Sequence, residues 1–176
     1  MALGINGLNP CGAHAMRPYN DRVEPKPPSE SLTETVHVVL PNDANPLGFI
    51  LGGTVMHLID MAGAIAALRH ARVPIVTAAV DDLQFLHPIT VGDLIILRAR
   101  VNAAFTTSME VEVEVFSEGT LTGARQLTSR AFLTFVTVDK TGGHRAVPPL
   151  LVESEEDRVR AAAASTRRAE RLKRRP

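Results

Sequence analysis

The chain has 176 residues, 45% hydrophobic and 22% charged, which suits one domain with tails and a sizeable core and excludes two full-sized domains. Its 19 Lys and Arg balance 19 Asp and Glu, but positions 158–176 hold eight basic residues and one acid, a surplus of +7 that leaves −7 for everything before; a body of that sign is a poor nucleic-acid platform. The lone Cys11 excludes an intramolecular disulfide and a thiolate zinc cluster, positions 1–16 lack the charged start of a secretory signal, and no apolar run approaches the ~20 residues that span a bilayer, so a soluble, cytoplasmic protein is expected.

Residues 1–33 carry five of the twelve prolines with little apolar periodicity, and are expected to form a flexible leader that adds little to the core. Residues 34–40, ETVHVVL, are rich in β-branched side chains and stop at Pro41, as a first strand would. A turn-rich loop follows through Asn45, Pro46 and Gly48 to the Gly52-Gly53 pair. Residues 54–72 predict a helix: no proline, much Ala, Leu and Met, and Arg69 and Arg72 at the end where the dipole favours cations. Its middle is apolar on every face except at Asp60, which predicts a helix wrapped by other structure.

Beyond Pro74 the period falls to two. Strands are expected at 75–85, 93–103, 108–116 and 127–138, separated by turn signals. In SMEVEVEVF, Met109, Val111, Val113 and Val115 share one face and Glu110, Glu112 and Glu114 the other, predicting one packed and one wet face. Short connections make neighbouring strands antiparallel. The predicted fold is therefore α+β, one long helix against a curled antiparallel sheet of about five strands over residues 34–150. Residues 151–176 read as a solvated or edge-packed C-terminal basic helix or tail, with acids at its start and cations at its end.

Asp60 is the anomaly, because a carboxylate in an apolar helix costs several kcal/mol unless paired, neutralised or used. His57, one turn back, could share a proton with it; alternatively Asp60 bonds a neighbouring backbone amide. Gly52 and Gly53 open the helix, where free N–H groups and the positive dipole end favour a developing negative charge. Seven residues at 1.5 Å rise separate Gly53 from Asp60 by roughly 10 Å. If both act on one carbonyl, they come from different chains, and a symmetric dimer is the active unit.

Six segments stand out together: PNDANPLG at 41–48, GGTVMHLIDMAGAIAALRHAR at 52–72, VTAAVDDLQFLHPITVGD at 76–93, TSMEVEVEVFSE at 107–118, LTSRAFLTFVTVD at 127–139 and VPPL at 147–150. In order and spacing they resemble the hotdog-fold acyl-CoA thioesterases, in particular bacterial cytosolic hydrolases akin to brain acyl-CoA hydrolase. The resemblance implies a helix wrapped by an antiparallel sheet, paired into dimers and commonly assembled into hexamers. It also implies hydrolysis of fatty acyl-CoA to free acid and coenzyme A without metal or organic cofactor. The family's catalytic Asn and Asp fall on Asn45 and Asp60, meeting across the subunit interface, with Asp60 as general base or as nucleophile forming an anhydride. The Gly53 amide would bind the oxyanion, and Thr77 matches a hydroxyl position near the helix acid. Gly52, Gly53, His57, Thr107 and Ser108 are the expected substrate contacts. There are two departures from the pattern: Leu51 precedes the Gly pair, and Phe105 and Thr106 stand where a Gly and a basic residue are usual. Arg98, Arg100, Arg125 or the terminal arginines are the remaining candidates for coenzyme A phosphates.

The histidines show no metal-ligand spacing, and no phosphate-binding loop, dinucleotide fingerprint or nucleophile elbow is present. Two alternatives stay open. A hotdog enoyl-CoA hydratase or dehydratase would use a loop His where Asn45 stands. A non-catalytic acyl-CoA sensor would need an output domain.

Overall fold

A computed structural model describes residues 24–174. Helix α1 spans Gly52–Ala71 and is followed by β2 (Ile75–Phe85), β3 (Leu94–Ala104), β4 (Ser108–Glu118) and β5 (Arg125–Thr137); β1 (Thr33–Val38) precedes it and α2 (Glu155–Lys173) ends the chain. The five strands form one antiparallel sheet in the order β1-β3-β4-β5-β2. Register shifts interrupt β2, β3 and β5, and such bulges raise the local twist that lets a sheet curl around a helix.

The core lies between α1 and the sheet. Val55, Ile59, Ala62, Gly63, Ala66, Ala67 and His70 recur at helical spacing and are buried against Leu97, Val101, Val111, Val113, Leu133 and Phe135. The helix stops where Arg72 turns left-handed at φ 55°, its N–H donating to the Leu68 carbonyl. The expected helix against a curled antiparallel sheet of about five strands is what the chain forms. The sheet covers one side of α1, and Met56, Met61 and Leu68 stay exposed on the other.

The expectation of a wet glutamate face is also overturned. Glu110 is 1% and Glu112 4% exposed, because α2 lies across that face instead of facing solvent. Arg167 donates to Glu110 at 2.7 Å and stacks 3.7 Å above the Phe132 ring. Arg160 pairs with Glu112, Arg171 with Asp81 and Arg100 with Asp157. Arg130 joins from the sheet, pairing with Glu114 at 2.6 Å. Ser154 caps α2 by accepting the Asp157 N–H, while the Asp157 carboxylate accepts the Ser154 N–H.

The leader boundary drawn at residue 33 comes too late. Residues 1–23 lie outside the described part, but from Lys26 onward the segment is tied down. Lys26 bridges to Leu150, and its ammonium donates to the His70 carbonyl at 2.9 Å. Ser31 is buried in a short 3-10 turn, Pro28–Ser31, where its hydroxyl donates to the Pro28 carbonyl and accepts the Val101 N–H.

Candidate active site

Asp60 and Thr77 meet. Asp60 lies mid-way along α1 and is half-buried, and the Thr77 hydroxyl on β2 donates to its Oδ1 at 2.7 Å. Its partner is this hydroxyl and not a backbone amide. Oδ2 bonds to no described residue, which leaves it free to accept a proton or attack. Thr77 sits directly before a register shift on β2, opposite Phe135 of β5. Bulges commonly re-aim a side chain beside a reactive site, and here the re-aimed residue faces α1. β2 is the last strand of the sheet, with an unpaired outer edge.

Asn45 is organised by its own loop. Its Oδ1 accepts the N–H groups of Leu47 at 2.9 Å and Phe49 at 3.2 Å, and its backbone N–H donates to the Phe49 carbonyl. Gly48 closes this turn at φ +81°, where a side chain would be strained. With the oxygen taken, the side-chain NH2 is the group left to donate. The loop is joined to α1 by the Leu51 N–H donating to the Asp43 carbonyl at 2.8 Å.

Gly52 and Gly53 form the first turn of α1. No side chain caps it and no acid lies in it, so its leading amides and the positive dipole end face outward toward any developing anion. Beside it opens a cleft of about 300 Å³ lined by Phe49, Ile50, Gly52, Phe85, Pro88 and Ile89 among others. The Phe85 ring lies so near Gly52 that a Cβ there would be 3.6 Å from it. Neither Phe49 nor Phe85 was singled out from sequence, where each looks like any aromatic at a strand or loop end.

Three other expected contacts are not gathered here. His57 is exposed, one turn before Asp60, and forms no described bond to it. Ser108 pairs with Val136 and follows the alternation opposite to buried Met109, so it faces away from α1. The neighbouring Thr107 carbonyl is engaged by the Thr137 N–H and hydroxyl. Arg98, Arg100 and Arg125, candidates for phosphate contacts, are already paired with Glu34, Asp157 and Glu118. Among the described residues no cluster of His, Cys, Asp or Glu could hold a metal ion.

A half-buried carboxylate held by a hydroxyl and, two turns earlier on the same helix, an uncapped start that opens on an apolar cleft are two parts that acyl transfer uses. The comparisons agree. A family model of the thioesterase superfamily matches residues 47–124. An acyl-CoA thioester hydrolase of Bacillus subtilis (strain 168) is 40% identical over 77% of this chain and 79% of its own length. The cytosolic acyl coenzyme A thioester hydrolase of Mus musculus is 34% identical over 78% of this chain but only 36% of its own. A hexameric acyl-CoA thioesterase crystal structure superposes with a TM-score of 0.82 at 40% identity, covering 86% of this chain and 97% of that one. The acyl-CoA hydrolase of Staphylococcus aureus, solved with butyryl coenzyme A and coenzyme A, gives 0.79 at 35% identity over 85% and 91%. The chain belongs to the hotdog-fold acyl-CoA thioesterases. In that S. aureus hydrolase, structures were determined with alanine replacing an Asn, an Asp 15 residues later and a Thr 17 residues beyond that; Asn45, Asp60 and Thr77 stand at the same intervals.

Proposed function

We propose that the protein hydrolyses the thioester of fatty acyl-CoA, water adding to the carbonyl and the C–S bond breaking to give the free acid and coenzyme A. The observation that carries this is the Thr77 hydroxyl holding Asp60 at 2.7 Å with the second carboxylate oxygen unengaged. Asp60 either removes a proton from the attacking water or attacks the carbonyl to form an anhydride that water opens. After a single turnover in 18O water, label in Asp60 with unlabelled fatty acid identifies an anhydride opened at the Asp60 carbonyl, and trapping an acyl-enzyme with hydroxylamine identifies an anhydride opened at the acyl carbon.

Asn45 donates its NH2 to the water or the carbonyl, and the Gly53 amide stabilises the oxyanion. Asp60 and Gly53 lie two turns apart on one helix, roughly 10 Å, so the donors come from a second copy. Exposed Met56 and Met61 on α1, with exposed Val76 and Val80 on the open β2 edge, supply an apolar surface for that copy. Two such copies form the active unit, and three pairs form a hexamer of the kind seen in the superposed thioesterase. The reaction needs no organic cofactor or metal, and the enzyme acts in the cytoplasm, as the mouse relative's name states for that protein.

Asp60→Asn tests the assignment. Acyl-CoA binding is retained, while thiol release followed with a disulfide reagent falls about 10²-fold or more, as expected for a lost general base or nucleophile. Unchanged turnover would reject it. Offering enoyl-CoA beside saturated acyl-CoA checks the reaction class: water addition without thiol release would point to a hydratase.

A further inference from the structure

We infer that Gly63 is a positioning residue for Asp60, setting how closely α1 approaches the sheet at the row that carries Thr77; this rests on the thioesterase reading above. A Cβ at Gly63 would lie 3.2 Å from both Cε2 and Cζ of Phe135 and 3.5 Å from Cγ2 of Val113. Phe135 and Val113 have no solvent exposure, so a methyl at Gly63 has to be accommodated by a shift of a few tenths of an ångström inside a packed interior. Phe135 is also the residue paired with Thr77 across β2 and β5. The ring that Gly63 rests on and the hydroxyl that holds Asp60 therefore sit side by side on one row of the sheet.

The sheet-facing residues of α1 make the same point. Val55 and Ile59 are large, whereas Ala62, Gly63, Ala66 and Ala67 are small. Interaxial spacing follows side-chain size at the contact, so the run of small residues from Ala62 to Ala67, before the larger buried His70, allows close approach just beyond Asp60. Gly63 follows Asp60 by three residues, one turn along. A helix raised at Gly63 carries the Asp60 carboxylate away from the Thr77 hydroxyl, now only 2.7 Å away. Glycine within a helix is disfavoured relative to alanine, and close packing on Phe135 is what this position gains in exchange.

The test is a cycle of Gly63→Ala, Thr77→Ala and Phe135→Leu, read by thiol release and by crystal structures. Gly63→Ala is expected to lower kcat about tenfold with KM within about twofold, as a displaced reacting group should. In the Thr77→Ala background it adds nothing further, because the contact it disturbs is already gone. Adding Phe135→Leu to Gly63→Ala makes room for the methyl and restores kcat. In the crystal structure of Gly63→Ala, the Asp60 to Thr77 separation lengthens from 2.7 Å by a few tenths of an ångström, the relief that the contact at Gly63 calls for. Independent losses from Gly63→Ala and Thr77→Ala, or a separation unchanged in the variant, would overturn the inference. Should Gly63→Ala alone fail to fold, the Gly63→Ala/Phe135→Leu protein decides: wild-type kcat supports the steric route, and a folded protein with a tenfold deficit rejects it. Wild-type protein that releases no thiol from any acyl-CoA sinks the thioesterase reading instead, and the crystallographic separation still decides the role of Gly63.

Discussion

His70 has no solvent exposure. Because the Pro148 carbonyl can only accept, the ring's Nε2–H donates to it at 2.8 Å, and Nδ1 is left without a partner. Burial holds its pKa below the ordinary 6.5, the Pro148 bond opposing and the nearby Lys26 ammonium assisting the shift. A group depressed on folding binds its proton more readily in the unfolded chain. Its contribution is intact above about pH 6.5 and is lost as the pH falls below that value toward the folded one. The melting temperature should drop between pH 7 and pH 5, and His70→Gln, whose amide still donates to Pro148, should flatten that slope; parallel slopes would show that other groups set it. At this scale the sequence makes Asp60 conspicuous, since a carboxylate in an apolar helix asks for a use. The Thr77 contact was much less legible, because it depends on a register shift that exists only once β2 is paired with β5.

Helix α2 is the element that local reading places worst. Taken alone it is a charged, alanine-rich segment that suits water, and the glutamates of β4 look equally wet. The match is between two distant stretches: Arg160 and Arg167 are seven residues apart and so share a helix face, and they meet Glu112 and Glu110, two residues apart on one strand face. Breaking a buried pair strands a charge. Arg167→Ala should therefore cost about 3 kcal/mol by leaving Glu110 uncompensated. Arg158→Ala, whose pairing with Glu155 is exposed on both sides, should cost under about 0.5 kcal/mol. Urea unfolding of both variants measures the contrast, and equal losses would contradict it. The strands were easier to read, since β2 to β5 announce themselves by period two and their ends shift by only a few residues on pairing.

For the whole molecule, the decisive geometry is the distance along α1 that parts Asp60 from the helix start. If each site takes Asn45 from one copy and Asp60 from the other, a mixed dimer of Asn45→Ala and Asp60→Asn chains regains one intact site of two. Equal co-expression with random pairing then yields about a quarter of wild-type activity. Verified mixed dimers with no recovery would place both residues in one chain. The need for a second copy was legible from sequence in that distance alone, since seven residues at 1.5 Å rise part Gly53 from Asp60 by roughly 10 Å. The diagonal course of α2, from Arg100 on β3 to Asp81 on β2, carries a consequence for larger assembly. It roofs one half of the sheet's back, leaving bare the end where Val36 and Val38 of β1 stand exposed. A further copy stacking on this back would find exposed apolar side chains at that end, Val36 and Val38, and a charged helix at the other.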